Sequence, residues 1–382
     1  MKFWAYAGFL AIVVFCLALD LGVFHREAHE VSMKEAATWS AIWVTLSLVF
    51  SVFVYHAYER HWLGLGLDTP MYNSASATNP DAPPIIRGEV RGLDAAEQYL
   101  VGYIVEFSLA MDNIFVIAMI LSFFAVPGKY QHRVLFWGIV GAVLMRGGMI
   151  FLGAELVMRY SWSLIIFGAF LLLTAGKMAL IRGTSDPSMN IVVRLAKKVL
   201  PLRDFHDGQN FFTRRTLPPT YARDPVSGEL IQDPPPVGSL GRLAMTPLFL
   251  ALLMVEVTDL IFAVDSIPAI FAITPDPFIV FTSNIFAILG LRSLYFCLAA
   301  LISKFRFLKP ALILILAFIG MKLLVLALPP YLDEIGRWFG AEIGPVKSIK
   351  IDTLTSLLVV VATLAGAIAL SVALPSKADA AR

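Results

Sequence analysis

Charge is what this chain has least of: Asp, Glu, Lys and Arg make up 15% of its 382 residues and 58% are hydrophobic, against about a quarter charged in a soluble domain. The mean hydropathy is +0.76. So much apolar sequence does not fit inside one globular core, because cores stop growing near ~250–300 residues and still need a polar surface. A water-soluble enzyme is excluded. Cysteine is nearly absent too, and Cys16 and Cys297 fall in separate apolar runs, so neither a disulfide framework nor a thiolate metal cluster is offered. Histidine is kept out of the apolar runs: His25, His29, His56, His61, His132 and His206 lie outside them or at their very ends. That argues against the soft-ligand sites favoured by copper, nickel and zinc. Nor does one sign of charge dominate. Lys and Arg total 30 and Asp and Glu 28, a net charge of +2, too balanced for a nucleic-acid binder. No ATP-cradling loop is present either, since Gly176-Lys177 is followed by Met178 inside an apolar run rather than by Ser or Thr. Transport, if that is the function, draws on an ion or proton gradient. No nucleophile, base and orienting group occur together at a recognisable spacing, so an enzyme is not expected.

What the chain does have is nine apolar runs long enough to cross a hydrocarbon layer. They lie near 3–24, 38–56, 98–124, 134–157, 163–182, 246–274, 279–303, 308–328 and 353–374, and predict an all-α, polytopic membrane bundle. The first is read as a retained span, since it is too long for a cleaved signal peptide. Lys129 and Arg133 follow the third span and Lys304, Arg306 and Lys309 the seventh, whereas the loops after the fourth and sixth offer only Arg159. By the positive-inside rule the first set is cytoplasmic, which puts the N-terminus outside and the C-terminus in the cytoplasm. The expected organisation is two N-terminal spans (1–56), an extracytoplasmic polar loop (57–97), a three-helix unit (98–182), a basic cytoplasmic loop (183–244), a second three-helix unit (245–328), and a last span with its tail (329–382). Asn73-Ser74-Ala75-Ser76 and Pro83-Pro84 give the 57–97 segment surface-loop chemistry. In the basic loop, residues 191–200 alternate apolar and basic side chains, as a short amphipathic helix on an anionic leaflet or a solvated linker would.

The two three-helix units share a pattern. Glu106-Phe-Ser-Leu-Ala-Met-Asp112-Asn113 matches Asp259-Leu-Ile-Phe-Ala-Val-Asp265-Ser266 at one 153-residue offset, 106 to 259 and 112 to 265. Leu144-Met145-Arg146 then answers Gly290-Leu291-Arg292, and Gly176-Lys177 answers Gly320-Met321-Lys322 with a one-residue slip. Apolar residues match by chance between membrane helices; ionisable ones should not. With three spans per unit and none between, the second copy enters the bilayer from the opposite face. Inverted repeats of this kind bind substrate near the midplane, where the repeats meet.

The spans hold Asp20, Glu106, Asp112, Glu256, Asp259 and Asp265, each costing on the order of 2.5–3.5 kcal/mol at a helix centre. Arg146, Lys177, Arg292 and Lys322 are the candidate charge partners, fewer than the acids. That surplus leaves room for a bound cation or protons. Glu106 and Asn113 share a helix face, as do Asp259 and Ser266. Asp112 and Asp265 point elsewhere on a straight helix, so a distortion is expected, with Pro268 freeing the carbonyl of Val264. Carboxylate, amide, hydroxyl and carbonyl oxygens suit Mg²⁺, Ca²⁺ or Mn²⁺. The alternative is a set of buried salt bridges holding helices in register.

These stretches, with Thr282-Ser-Asn284-Ile-Phe-Ala-Ile-Leu-Gly-Leu-Arg292 and Ala18-Leu-Asp20-Leu-Gly, resemble the signature segments of the TerC integral membrane family, in particular its Alx-type branch. The resemblance implies export of Mn²⁺ from the cytoplasm across the bacterial inner membrane, with Asp20, Glu106, Asp112, Asn113, Glu256, Asp259, Asp265 and Ser266 as the metal path. No resident cofactor is implied; the divalent ion is cargo and the lipid bilayer the surroundings. The family name refers to tellurium resistance, but carboxylate-lined spans repel an oxyanion such as tellurite, so that link is indirect. A membrane scaffold for a metal-stress or tellurium-resistance complex, binding a protein partner through the basic 183–244 loop, is the competing expectation.

Overall fold

An apolar segment in lipid has to satisfy its backbone hydrogen bonds internally, and an α-helix does so within one segment. In the computed structural model, residues 2–22, 32–73, 85–160, 162–180, 198, 201–218, 221–223, 230–232, 240–299, 307–329, 331–332, 351 and 353–373 are described. Their helices, in chain order, are α1 (Lys2–Gly22), α2 (Met33–Glu59), α3 (Gly92–Phe123), α4 (Gly128–Arg159), α5 (Ser163–Leu180), α6 (Pro247–Phe271), α7 (Pro277–Leu289), α8 (Leu291–Ala299), α9 (Leu308–Ala327) and α10 (Thr353–Ala373). Among the described residues, eight helical segments are long and apolar enough to cross a membrane, with α7 and α8 counted as one. The ninth expected span is occupied by α3, whose 32 residues reach about 48 Å at 1.5 Å per residue. The chain is a polytopic helical membrane protein.

Local sequence explains the helix starts. Ser32 caps α2 by accepting the Glu35 N–H at 3.3 Å. Asp276 caps α7 by accepting the Phe278 N–H at 3.0 Å, with Pro277 in the first turn, where its missing donor costs nothing. The expected 279–303 span is formed by α7 and α8, which meet at Gly290, itself in helical conformation (φ −77°, ψ −13°). The expected distortion at the acidic positions is not seen as a break: α3 runs unbroken through residue 112 and α6 through residue 265, with Pro268 inside it near its end.

The polar 57–97 segment is more than a loop. Strands β1 (Thr69–Tyr72) and β2 (Ile85–Gly88) pair antiparallel beside the C-terminal end of α6 and the N-terminal end of α7. Tyr72 donates to the carbonyl of Phe271, Tyr58 donates to Asp276 at 2.5 Å, and Glu59 accepts the Gly92 N–H at 3.0 Å. In the 183–244 segment, β3 (Phe212–Arg215) pairs with β6 (Leu240–Met245), and β4 (Tyr221–Arg223) with β5 (Leu230–Gln232). Apart from Lys198, the amphipathic stretch 191–200 lies outside the described residues.

The centre of the bundle is α7, which is buried on all sides from Phe278 to Leu289, as a mostly apolar helix should be. Phe50 of α2 and Phe286 of α7 pack as tilted rings with centroids 4.7 Å apart, and Phe9 of α1 meets the same ring at 5.7 Å. Around α7, helix pairing follows one rule: α3 packs on α7, α4 on α6, and α5 on α9. First helix on second, second on first and third on third is what a two-fold relation between 98–182 and 245–328 demands. Direction agrees. Along α4 and α6, a methyl added at Gly138 would lie 3.3 Å from Val255, and one at Gly153 would lie 3.7 Å from Ile267 and 3.0 Å from Phe271, so these helices run parallel. Gly168 meets Leu324 while Leu172, one turn on, meets Gly320, so α5 and α9 run antiparallel. A second helix parallel to the other unit's first, and third helices opposed, define an inverted repeat.

Candidate functional site

Arg146 stands near the middle of α4 and is completely buried. Its guanidinium spans the two units. It makes an ion pair with Glu106 of α3 and a two-pronged one with Asp259, the central residue of α6, through Nε to Oδ2 at 3.1 Å and Nη2 to Oδ1 at 2.8 Å. Paired N–H donors on a carboxylate form the strongest and most directional of such contacts. Nη1 also reaches the Ser266 hydroxyl at 3.2 Å and the Asn284 Oδ1 at 3.5 Å. Asp259 and Ser266 thus lie on one face of α6, as their spacing predicts.

Asn284 is oriented by its own helix. Its Nδ2 donates to the Val280 carbonyl at 2.9 Å, which leaves Oδ1 for Arg146. Sequence reasoning placed Asn284 in a recognisable stretch but gave it no role. The available signal was a carboxamide next to Thr282 and Ser283 in a mostly apolar span, eight residues before Arg292.

The described residues form no vacant pocket of acids. Among the described residues, no group of three or more His, Cys, Asp or Glu side chains is arranged to hold a metal. The reason is physical. Two carboxylates brought together away from water need a counter-cation, and Arg146 is that cation. Glu256, one turn before Asp259, is only partly buried and lies over α4, where a methyl at Gly141 would strike its carboxylate. Asn113 is buried on α3. The side chains of Asp20, Asp112 and Asp265 lie outside the described residues.

Of the four expected charge partners, two belong here. Arg146 forms the cluster, and Arg292 of α8 is buried beside a cavity of about 30 Å³ that Asp259 also lines, together with Gly138, Ala142, Val255 and Leu291. Lys177 is instead exposed in the last turn of α5, where a long stem can carry its charge to the boundary layer. Lys322 turns to α10 and donates to the Ser356 hydroxyl at 2.7 Å.

The fold and this cluster define an integral membrane protein of two inverted three-helix units with a buried arginine–dicarboxylate centre between them. The chain belongs to the integral membrane protein TerC family, whose model matches residues 92–378. It is 41% identical over 344 residues to an uncharacterized membrane protein of Myxococcus xanthus, covering 88% of this chain and 90% of that one. It is 41% identical over 325 residues to the putative membrane-bound redox modulator Alx of Escherichia coli strain K12, covering 84% and 85%. A membrane protein of Rickettsia bellii is 35% identical over 329 residues, covering 85% and 90%. No solved structure matches.

Proposed function

We propose that this chain is a secondary transporter that exports a divalent metal ion, Mn²⁺ foremost, from the cytoplasm across the bacterial inner membrane in exchange for protons. One observation carries the reading: the oxygens of Glu106, Asp259, Ser266 and Asn284, drawn from both units, converge on a single buried cation, the guanidinium of Arg146. Carboxylate, hydroxyl and amide oxygens are the donors a hard divalent ion takes. Arg146 therefore holds the position in which a metal ion would be received. Among the described residues, Glu106, Asp259 and Glu256 outnumber the arginines beside them, Arg146 and Arg292, by one. A purely structural salt bridge has no need of that excess. The choice of Mn²⁺ over Ca²⁺ or Mg²⁺ rests on the family resemblance.

The relative's name speaks of redox modulation. Here neither Cys16 on α1 nor Cys297 on α8 forms a disulfide, and the buried cluster is built of oxygen and guanidinium, which favours cation transport.

The test is uptake of Mn²⁺, Ca²⁺ and Mg²⁺ into inside-out proteoliposomes with a pH gradient imposed and then collapsed. Mn²⁺ uptake that depends on the gradient and disappears in Glu106→Gln and Asp259→Asn is expected. Undiminished uptake in both variants would falsify the proposal. Removing part of 183–244 separates it from a scaffold, since a scaffold loses its function and a transporter keeps its flux.

A further inference from the structure

The segment that holds β3 and β6 is tied to the ends of three helices. His206 donates through Nε2 to the Phe124 carbonyl, at the close of α3, at 3.2 Å. Arg133 of α4 donates to the Gln209 Oε1 at 3.3 Å and lies over the Phe211 ring, 5.2 Å from its centre. At the start of α6 the Thr246 hydroxyl reaches the carbonyls of Asn210 and Phe211 at 2.8 and 3.0 Å, and the Phe212 ring packs 4.5 Å from that of Phe249. Phe249 is the third residue of a helix long and apolar enough to span the bilayer. Phe212 therefore sits at the level where the hydrocarbon begins.

The β3–β6 pair has a covered face and an open one, as antiparallel sheets allow. Thr213 and Ala244 stand opposite each other and are buried. Phe212 and Arg214, on either side of Thr213, and Arg242 and Leu243, just before Ala244, are exposed. Asp207 accepts the Thr213 hydroxyl at 2.6 Å and pairs with Arg215 at 3.4 Å, so that acid serves the covered face. Within 198–246, among the residues whose side chains are described, Lys198, Arg203, Arg214, Arg215 and Arg242 stand against Asp204 and Asp207. Exposed Phe and Leu beside exposed Arg suit the boundary layer, where apolar groups enter the acyl region and long basic stems carry their charge to the phosphates.

We infer that the open face of the β3–β6 sheet is a docking surface for anionic phospholipid of the leaflet on which α6 begins, with Phe212 and Leu243 entering the acyl boundary and Arg214 and Arg242 holding headgroup phosphates. The surplus of positive charge selects that occupant, since each such side chain near an anionic surface strengthens binding roughly fivefold. In the orientation expected from the loops this is the cytoplasmic leaflet. Because β6 runs through Thr246 into α6, lipid held here seats the helix that carries Asp259. The inference stands apart from the cation-transport reading.

The test uses the full-length protein with Cys16 and Cys297 replaced by alanine and a nitroxide label on Leu243→Cys, in vesicles of phosphatidylcholine alone or mixed with phosphatidylglycerol. Collisions of the label with oxygen, which concentrates among acyl chains, are compared with collisions with a water-soluble nickel chelate. In the mixed vesicles oxygen should dominate; in phosphatidylcholine alone the nickel collisions should rise at least roughly fivefold. Arg214→Gln with Arg242→Gln should move the label in mixed vesicles toward the neutral-lipid result, as should high salt, whereas Arg214→Lys with Arg242→Lys should keep the parent pattern. A label on Leu217→Cys, also exposed, repeats the measurement if Leu243→Cys disturbs the sheet. The same collisions in both lipid mixtures, or no change in the double glutamine variant, would overturn the inference. So would inorganic phosphate reproducing the effect in phosphatidylcholine, which marks a site for free anions. A label that stays in water in anionic vesicles also overturns it and leaves the face to a protein partner.

Discussion

The cluster at Arg146 makes a quantitative demand on stability. Replacing Arg146 by Met keeps much of its volume and removes its charge, so that Glu106 and Asp259 face each other with no cation between them. Removing one partner of a buried ion pair costs about 3–5 kcal/mol. Because this one guanidinium serves two carboxylates, the upper part of that range is expected. Glu106→Gln alone should cost less, about 1–3 kcal/mol, because Arg146 keeps its two bonds to Asp259. The triple variant Arg146→Met, Glu106→Gln, Asp259→Asn leaves neutral groups of similar shape. It should recover most of the loss, with a coupling of at least ~2 kcal/mol between the arginine and its acids. The assay is equilibrium unfolding in mixed micelles, followed by tryptophan fluorescence. Arg146→Met within ~0.5 kcal/mol of the parent, or a triple variant no better than that single one, would refute the reasoning.

Divalent ion gives a companion result. Mn²⁺ at about a hundred times its dissociation constant should return ~2.7 kcal/mol to Arg146→Met, and Asp259→Asn in the same background should abolish that rescue. Gly141→Ala should cost little stability, because the Glu256 carboxylate that its methyl would strike ends a flexible side chain and can turn aside, but should lower transport by displacing that carboxylate, whereas Gly148→Ala, which meets nothing within 4 Å, should leave both unchanged. Gly168→Leu should prise α5 from α9, since even a methyl there lies 2.8 Å from Leu324; a melting-temperature drop of several degrees is expected, and none for Gly176→Ala, which also meets nothing within 4 Å. Asp276 lies between α6 and α7, and burial pushes its carboxyl above the ordinary value of 3.8, opposed by the Tyr58 hydroxyl, the Phe278 N–H and Lys2. A folded-state value above the unfolded one makes the carboxyl's contribution complete below pH 3.8 and lost as pH rises through the folded value. Melting temperatures from pH 4 to 8 should therefore show the parent losing ground to Asp276→Asn as pH rises; a constant gap would contradict the burial of this charge.

The sequence by itself determined that the chain crosses a membrane many times, because a long apolar run has few other ways to satisfy its backbone. It also revealed the duplication, since Glu106 with Asp112 and Asp259 with Asp265 recur at one offset where chance would not put acids. Some helix ends followed within a few residues, 246–274 being expected and Pro247–Phe271 found, whereas α3 and α4 begin six residues before the expected 98 and 134, at Gly92 and Gly128. The four-residue strands of the 57–97 hairpin were not legible, being too short to show alternation. Only the tertiary structure decided which cation meets which acid. Arg146, Arg292, Lys177 and Lys322 look alike as isolated charges in apolar spans, yet one is clamped, one lines a cavity, one is exposed and one turns to Ser356. A helix fixes the angle between its own side chains; the neighbour each one faces depends on how the helices cross, and that is settled when the two inverted units pack together.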